Sequence, residues 1–424
     1  MRTQFGKTEL YKEVSRHSDA LQQALQMKSP AKIMNNSSQN ALNPTSVAQD
    51  FPAPPGVVIN HVYVDQGKYI GSPSIAKLAD GSYVASHDFF GPETKEHEAA
   101  VSLIFRSEDD GQTWKQIAKV CPAFWSSLLL HEGVLYLFGL THHHGHIVIR
   151  RSEDGGFTWT APDDTETGLL TPYGQYHTAP TAFVISNGRI WRAIEDAAGS
   201  TRWGERYNPM LMSAPVGSNL LRRDSWNFTP ILRHSREWLE GKFGGWLEGN
   251  AVQLPNGRIG NVLRVDYNQA GKGAIVRLDD DGQALKFNPA DDLIDLPGGA
   301  TKFTIRHDSD TGLYWALSNA VPPIHSDCEK QTTQRNTLAL ICSRDLREWE
   351  IRYVVLYHPD PKQHGFQYAD WLFEGDDMIV VSRTAWDDDQ GGAKNQHDAN
   401  YLTFHRVKNF RSLTLRDSNI NPFV

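Results

Sequence analysis

The sequence predicts an all-β fold, a seven-bladed β-propeller with Asp-box repeats. Three observations lead there: two nearly identical turn motifs one blade apart, short alternating strands around them, and no long helical periodicity. The first motif is Arg106-Ser107-Glu108-Asp109-Asp110-Gly111-Gln112-Thr113-Trp114. The second is Arg151-Ser152-Glu153-Asp154-Gly155-Gly156-Phe157-Thr158-Trp159. Both fit S-x-D-x-G-x-T-W and lie about 45 residues apart, the span of a four-stranded blade.

Each part of the motif has a physical task. Ser and Asp side chains tie up turn amides, Gly tolerates positive φ, and Trp packs between sheets. A degenerate copy, Ser343-Arg344-Asp345-Leu346-Arg347-Glu348-Trp349, follows later in the chain. Turn pairs recur at Asp80-Gly81, Asn187-Gly188, Asn256-Gly257, Asp281-Gly282 and Thr311-Gly312. Segments such as Ser82–Ser86 and Val134–Phe138 alternate like half-buried strands. From residue 56 to 412 there is room for about seven blades of roughly 45–50 residues. Asn400–His405 reads as the closing strand, with both chain ends sharing one blade to protect the sheet edges.

Residues 1–55 differ in texture and read as an N-terminal extension and linker; 56–424 form the propeller domain. Met1–Met27 suits a polar helix around Leu10, Val14, Leu21 and Leu25, and lacks the pattern of a signal peptide. No apolar run approaches a membrane span. A net charge of −8 argues against nucleic acid as partner. The three cysteines, Cys121, Cys328 and Cys342, form no metal or disulfide pattern and read as buried thiols. Twelve tryptophans suit both blade packing and sugar stacking.

Polar residues collect beside aromatics about once per blade, where a propeller gathers its loops around the axis. His87, at a strand end after Ser86, is a candidate acid or base, or a core histidine held by Asp88. Trp125 precedes the cluster Thr141-His142-His143-His144-Gly145-His146, which admits a metal, one functional histidine or a solvated loop. Tyr176, His177 and Arg192 fall on a hairpin. Arg192 there either clamps an anion or pairs with Glu195. Glu248, Asn250, Arg264, Arg335 and Gln367 complete the predicted substrate contacts. The repetition favours one polyhydroxylated ligand.

The runs Gly71–Ser74, Ala85–Gly91, Ile147–Ser152, Tyr176–Pro180, Gly188–Arg192 and His397–Tyr401 resemble a family of seven-bladed propeller enzymes. These remove L-rhamnose α-1,4-linked to glucuronic acid from arabinogalactan or gum arabic, as lyases or α-L-rhamnosidases. Ulvan lyases resemble the chain more distantly. The likeness covers about residues 58–415. It implies that His87 is the key catalytic group. It also matches His144, Tyr176 and Arg192 to three of the four ulvan lyase residues, while Phe124 stands where the second histidine belongs.

The expected reaction is β-elimination at a rhamnosyl-glucuronate. Arg192 or Arg264 would neutralise the carboxylate, and His87 would move the proton with Tyr176 as partner. Hydrolysis, ulvan lysis and a non-catalytic lectin are the alternatives. Arg192, Arg264 and Arg335 also imitate the arginine triad that accompanies a Tyr nucleophile in sialidases. No cofactor is required, and the axial channel could seat a structural calcium ion. The expected partner is an acidic polysaccharide or oligosaccharide, with no membrane and with the chain acting as a monomer. Such a substrate implies a periplasmic or secreted setting.

Overall fold

Alternating strands separated by tight turns fold, in this computed structural model, into a β-propeller of six blades; the structure describes residues 52–424. The predicted polar helix and most of the linker lie outside the described residues. Blade I holds Tyr69–Ile70 and Ser74–Lys77, then Tyr83–Phe90, Ser102–Ser107 and Lys115–Val120. Blade II holds Phe124–His131, Val134–Leu140 and Ile147–Ser152, and blade III runs from Tyr176–His177 through Arg189–Asp196 and Asn208–Pro215 to Asn227–Phe228. Blade IV starts at Trp246–Gln253, blade V at Thr304–Asp308 and blade VI at Gly365–Glu374.

The expectation of seven blades is therefore corrected to six. The extra length lies in long connections, among them 153–175, 229–245, 319–336 and 386–400. Dividing chain length by blade length cannot see such insertions. The ring closes through the first strand, Val57–His61, which pairs with Tyr401–Val407 on the outside of blade VI (Val57 opposite Phe404, His61 opposite Tyr401). That pairing leaves no free edge at the seam.

The core lies between neighbouring sheets and includes the fully buried Trp246, Trp315 and Trp371. Truncating any of them to Ala would cost about 3–5 kcal/mol. The outer turns form as their side chains dictate. Ser107 Oγ accepts from Gly111 N–H at 2.9 Å, Asp109 accepts from Thr113 N–H at 2.9 Å, and the Trp114 indole donates to Gly111 O at 3.1 Å. The turn at Ser152–Trp159 repeats these bonds. In the third turn Leu346 takes the glycine position with φ 66°, and Trp349 donates to its carbonyl at 3.0 Å. The thiols are unpaired; only Cys342 is buried, whereas Cys121 is exposed and Cys328 intermediate. No helix among the described residues is long and apolar enough to cross a membrane.

Short polar residues on the inner strands stitch blade to blade. Ser74 Oγ donates to Asp370 at 2.8 Å and accepts from Leu128 N–H at 3.0 Å, joining blades VI, I and II. Asn250 accepts from Ile305 N–H at 2.9 Å, and the Trp371 indole donates to Thr304 O at 3.0 Å. These ties fix the inner strands against one another, and the inner strands carry the site.

Candidate functional site

Three inner strands share one irregularity. In blade II the pairing steps from Phe124 opposite Leu140 to Ser127 opposite Phe138. Blade IV steps from Leu247/Arg264 to Asn250/Val262, and blade VI from Gln367/Arg383 to Asp370/Val381. One extra residue on the inner strand makes each a β-bulge, which re-aims a side chain. At each bulge a bulky residue is left-handed: Trp125 at φ 47°, Glu248 at 57° and Tyr368 at 54°. Each costs about 1–2 kcal/mol of backbone strain. All three line one cleft of about 360 Å³. A larger hollow, about 870 Å³, sits between blades III and IV near Arg223 and Asp280, away from these residues.

Cations surround one wall of the cleft. Tyr368 Oη donates to Glu248 Oε1 at 2.7 Å, and Arg264 donates to Glu248 Oε2 at 2.8 Å. The guanidinium carbons of Arg383 and Arg335 lie 5.0 and 5.7 Å from the Tyr368 ring centre. Arg335 is braced by Gln367, and Arg383 by the His397 carbonyl. Burial pushes the Glu248 carboxyl up, but the charges of Arg264 and His177 and the bonds from Arg264 and Tyr368 outweigh it, so it stays below its ordinary range. Burial and then the Glu248 charge raise the Tyr368 phenol, against the pull of the arginines.

The opposite wall is aromatic. Trp125 meets His177 edge-on at 4.4 Å and His143 at 4.8 Å. His144 Nε2 sits 3.2 Å from Tyr207 Oη, and His177 Nδ1 sits 2.8 Å from Glu195, which also accepts from Gly249 N–H at 2.9 Å. Burial first, then neighbouring His143 and His177, pushes His144 down to about 2. Asp88 reaches the cleft from blade I and accepts from Ser72 N–H at 2.5 Å and from Trp125 N–H. Burial raises it to about 6 despite those bonds and Arg383. A Cβ on Gly71 would stand 1.7 Å from Asp88 Oδ1, so only glycine fits there.

Comparison with known proteins shows the fold. No protein-family profile and no curated protein matches the chain. Among solved structures, the chain is similar to the Penicillium chrysogenum α-L-arabinanase in complex with arabinobiose at 16% identity. That match covers 84% of this chain and 98% of the other, with a TM-score of 0.51. A Dyadobacter fermentans protein of unknown function is similar at 13% identity over 83% of this chain and 97% of its own, TM-score 0.53. Trypanosoma rangeli sialidase matches at 14% identity, TM-score 0.50, over 82% of this chain and 55% of its own. At these identities the likeness extends to the propeller fold.

Of the residues expected from the sequence, Trp125, His144, His177 and Glu248 line the cleft, with Arg264 and Arg335 directly behind it. Gln367 braces Arg335, and Asn250 is a buried tie between blades IV and V. Three residues expected to be catalytic lie outside the cleft lining. His87 is 1% exposed, and its ring nitrogens engage Asp88 O at 2.8 Å and Asn60 Nδ2 at 2.9 Å. It lies on the second strand of blade I, not the innermost, and faces away from the cleft that Asp88 lines. Arg192 is wholly buried, with its terminal nitrogens on Ser127, Thr178, Thr181 and the Ala179 carbonyl, and outside the cleft lining. Tyr176 packs against the apolar core of blades II and III, outside the cleft lining.

Arg192 donates to the carbonyls of Ala179 and Thr181, and Lys302 to that of Ala369 at 2.8 Å. Sequence reasoning did not single out Tyr368, Arg383, Tyr207 or Asp88 as site residues. One signal was present. Phe124-Trp125-Ser126, Leu247-Glu248-Gly249 and Gln367-Tyr368-Ala369 each set a large residue before a small one at the head of an inner strand.

Proposed function

We propose that the protein is a carbohydrate-active enzyme, a retaining exo-glycosidase that removes a terminal sugar carrying a carboxylate beside its anomeric carbon. The observation that carries this reading is the Tyr368–Glu248 bond of 2.7 Å, inside a cleft lined by Arg383 with Arg264 and Arg335 directly behind it. Arginine forks suit a carboxylate. An anionic nucleophile would be repelled by a carboxylate on the neighbouring atom, whereas a phenol arrives neutral. Glu248 accepts the Tyr368 proton as Oη attacks the anomeric carbon, and the glycosidic C–O bond breaks. Asp88, the carboxyl raised to about 6, donates its proton to the leaving oxygen. Asp88 then deprotonates water, which hydrolyses the glycosyl–Tyr368 bond, and Glu248 returns the proton to Tyr368. Paired groups with opposite shifts, Glu248 lowered and Asp88 raised, fit this division of roles. A sialidase of the same fold binds sialic acid, which has a carboxylate of this kind.

A second reading, closer to the rhamnose-cap resemblance, rests on the 3.2 Å contact between His144 Nε2 and Tyr207 Oη. There the imidazole removes the uronate C5 proton, Tyr207 protonates the departing O4, and a C4–C5 double bond forms. The test uses two substrates with the wild-type protein and Tyr368→Phe. Fluorescence released from umbelliferyl sialosides, lost in the variant, supports the glycosidase. Ultraviolet absorbance of an unsaturated uronate from gum arabic, retained in the variant, replaces it with the lyase.

A further inference from the structure

Beside the cleft, three metal-ligating side chains converge without any part in the chemistry above. Glu96 lies on the 91–99 connection of blade I, and His143 on the histidine turn of blade II; both line the cleft. The two segments are joined by a 2.6 Å bond from His143 N–H to the Glu96 carbonyl. Glu96 Oε1 stands 3.3 Å from His97 Nε2 and 3.5 Å from His143 Nδ1. All three ligand atoms fall within 4.8 Å of one another. His143 Nδ1 is buried and makes no hydrogen bond of good geometry. The second oxygen, Glu96 Oε2, is oriented by Gly91 N–H at 2.9 Å.

We propose that Glu96, His97 and His143 bind a zinc-class divalent cation that staples the 91–99 connection of blade I to the histidine turn of blade II. Tetrahedral ligands at about 2.0–2.1 Å from a metal lie about 3.3 Å from one another, the separation found here between oxygen and nitrogen. Two imidazoles and one carboxylate select zinc-like ions over magnesium or calcium. The rings of His97 and His143 stack at 4.7 Å, and His97, whose side chain is 70% exposed, is the ligand that swings to complete the set. A fourth position is left for water or a substrate oxygen.

The test is calorimetric titration of the chelator-treated full chain with zinc chloride, and with cobalt as a spectroscopic probe. The expected result is one site per chain, weakened about tenfold or more in His97→Ala and in Glu96→Gln, with an intense tetrahedral cobalt spectrum. Because His97 is exposed, its removal leaves the fold intact, and an unchanged melting temperature without metal checks this. Zinc binding equal in wild type and both variants, no zinc binding in the wild type, or the weak spectrum of six-coordinate cobalt would overturn the proposal. Glycosidase or lyase activity does not enter these readouts, so the outcome is independent of the proposed reaction.

Discussion

Replacing Glu248 by Gln separates its two tasks. The carboxylate accepts from Tyr368 at 2.7 Å and from Arg264 at 2.8 Å, and both Glu248 and Arg264 are buried. Gln keeps the shape, but its amide oxygen can serve only one of these donors. If the oxygen stays on Arg264, the amide N–H turns towards Tyr368 Oη, reversing that bond and leaving the phenol no acceptor for its proton. The guanidinium also loses its counter-charge in a buried setting. Breaking a buried pair by removing one partner costs about 3–5 kcal/mol, and the retained hydrogen bond lowers that to about 2–3 kcal/mol. Loss of a positioned general base reduces the chemical step about 10²–10⁴-fold. The assays are urea unfolding followed by tryptophan fluorescence, and kcat on a fluorogenic sialoside at fixed pH. A variant as stable as wild type and within a few-fold of its kcat would refute both the buried pair and the base.

Four further outcomes are expected. Tyr368→Phe should unfold within about 1 kcal/mol of wild type, having lost one hydrogen bond, yet be inactive on the same sialoside. The glycosidase rate kcat/KM should decline as pH rises through about 6, where Asp88 loses its proton; a profile flat to pH 8 would remove Asp88 as the acid. Burial holds His87 at about 4, below its ordinary 6.5, so between these values the unfolded chain binds more protons. Stability present above pH 6.5 should therefore fall by about 3 kcal/mol towards pH 4, and His87→Gln should flatten that slope in urea titrations. Asp370→Ala leaves Ile75 N–H without an acceptor and Ser74 Oγ without its acceptor at the seam between blades VI and I, and removes the Arg306 partner from blade V; it should lower stability by about 1–3 kcal/mol.

Local chemistry was legible in the sequence, and counts and depths were less so. The turns at Ser107–Trp114 and Ser152–Trp159 announce themselves because each side chain bonds within the turn. Blade number depends on connections whose length no periodicity reveals, and 153–175 is one of them. At the site, alternation along Tyr83–Phe90 says that His87 and Asp88 face opposite ways but not which faces the cleft. Arg192 has the composition of an anion clamp; the carbonyls and hydroxyls that its terminal nitrogens meet converge, from the 178–182 loop and from Ser127, only in three dimensions. Tyr368 and Arg383 were hidden for a related reason. A bulge shifts which residue faces the axis, and its position follows from backbone pairing more than from residue type.

The covalent step is the most direct test. The protein would be incubated with a fluorinated sialosyl fluoride, which forms the glycosyl-enzyme but hydrolyses slowly, then digested and its peptides sequenced by mass spectrometry. The expected result is one sugar added, on Tyr368, and none in Tyr368→Phe. Sialoside turnover by the wild type with the sugar trapped on another residue, or with no adduct at all, would contradict the assignment of Tyr368 as nucleophile.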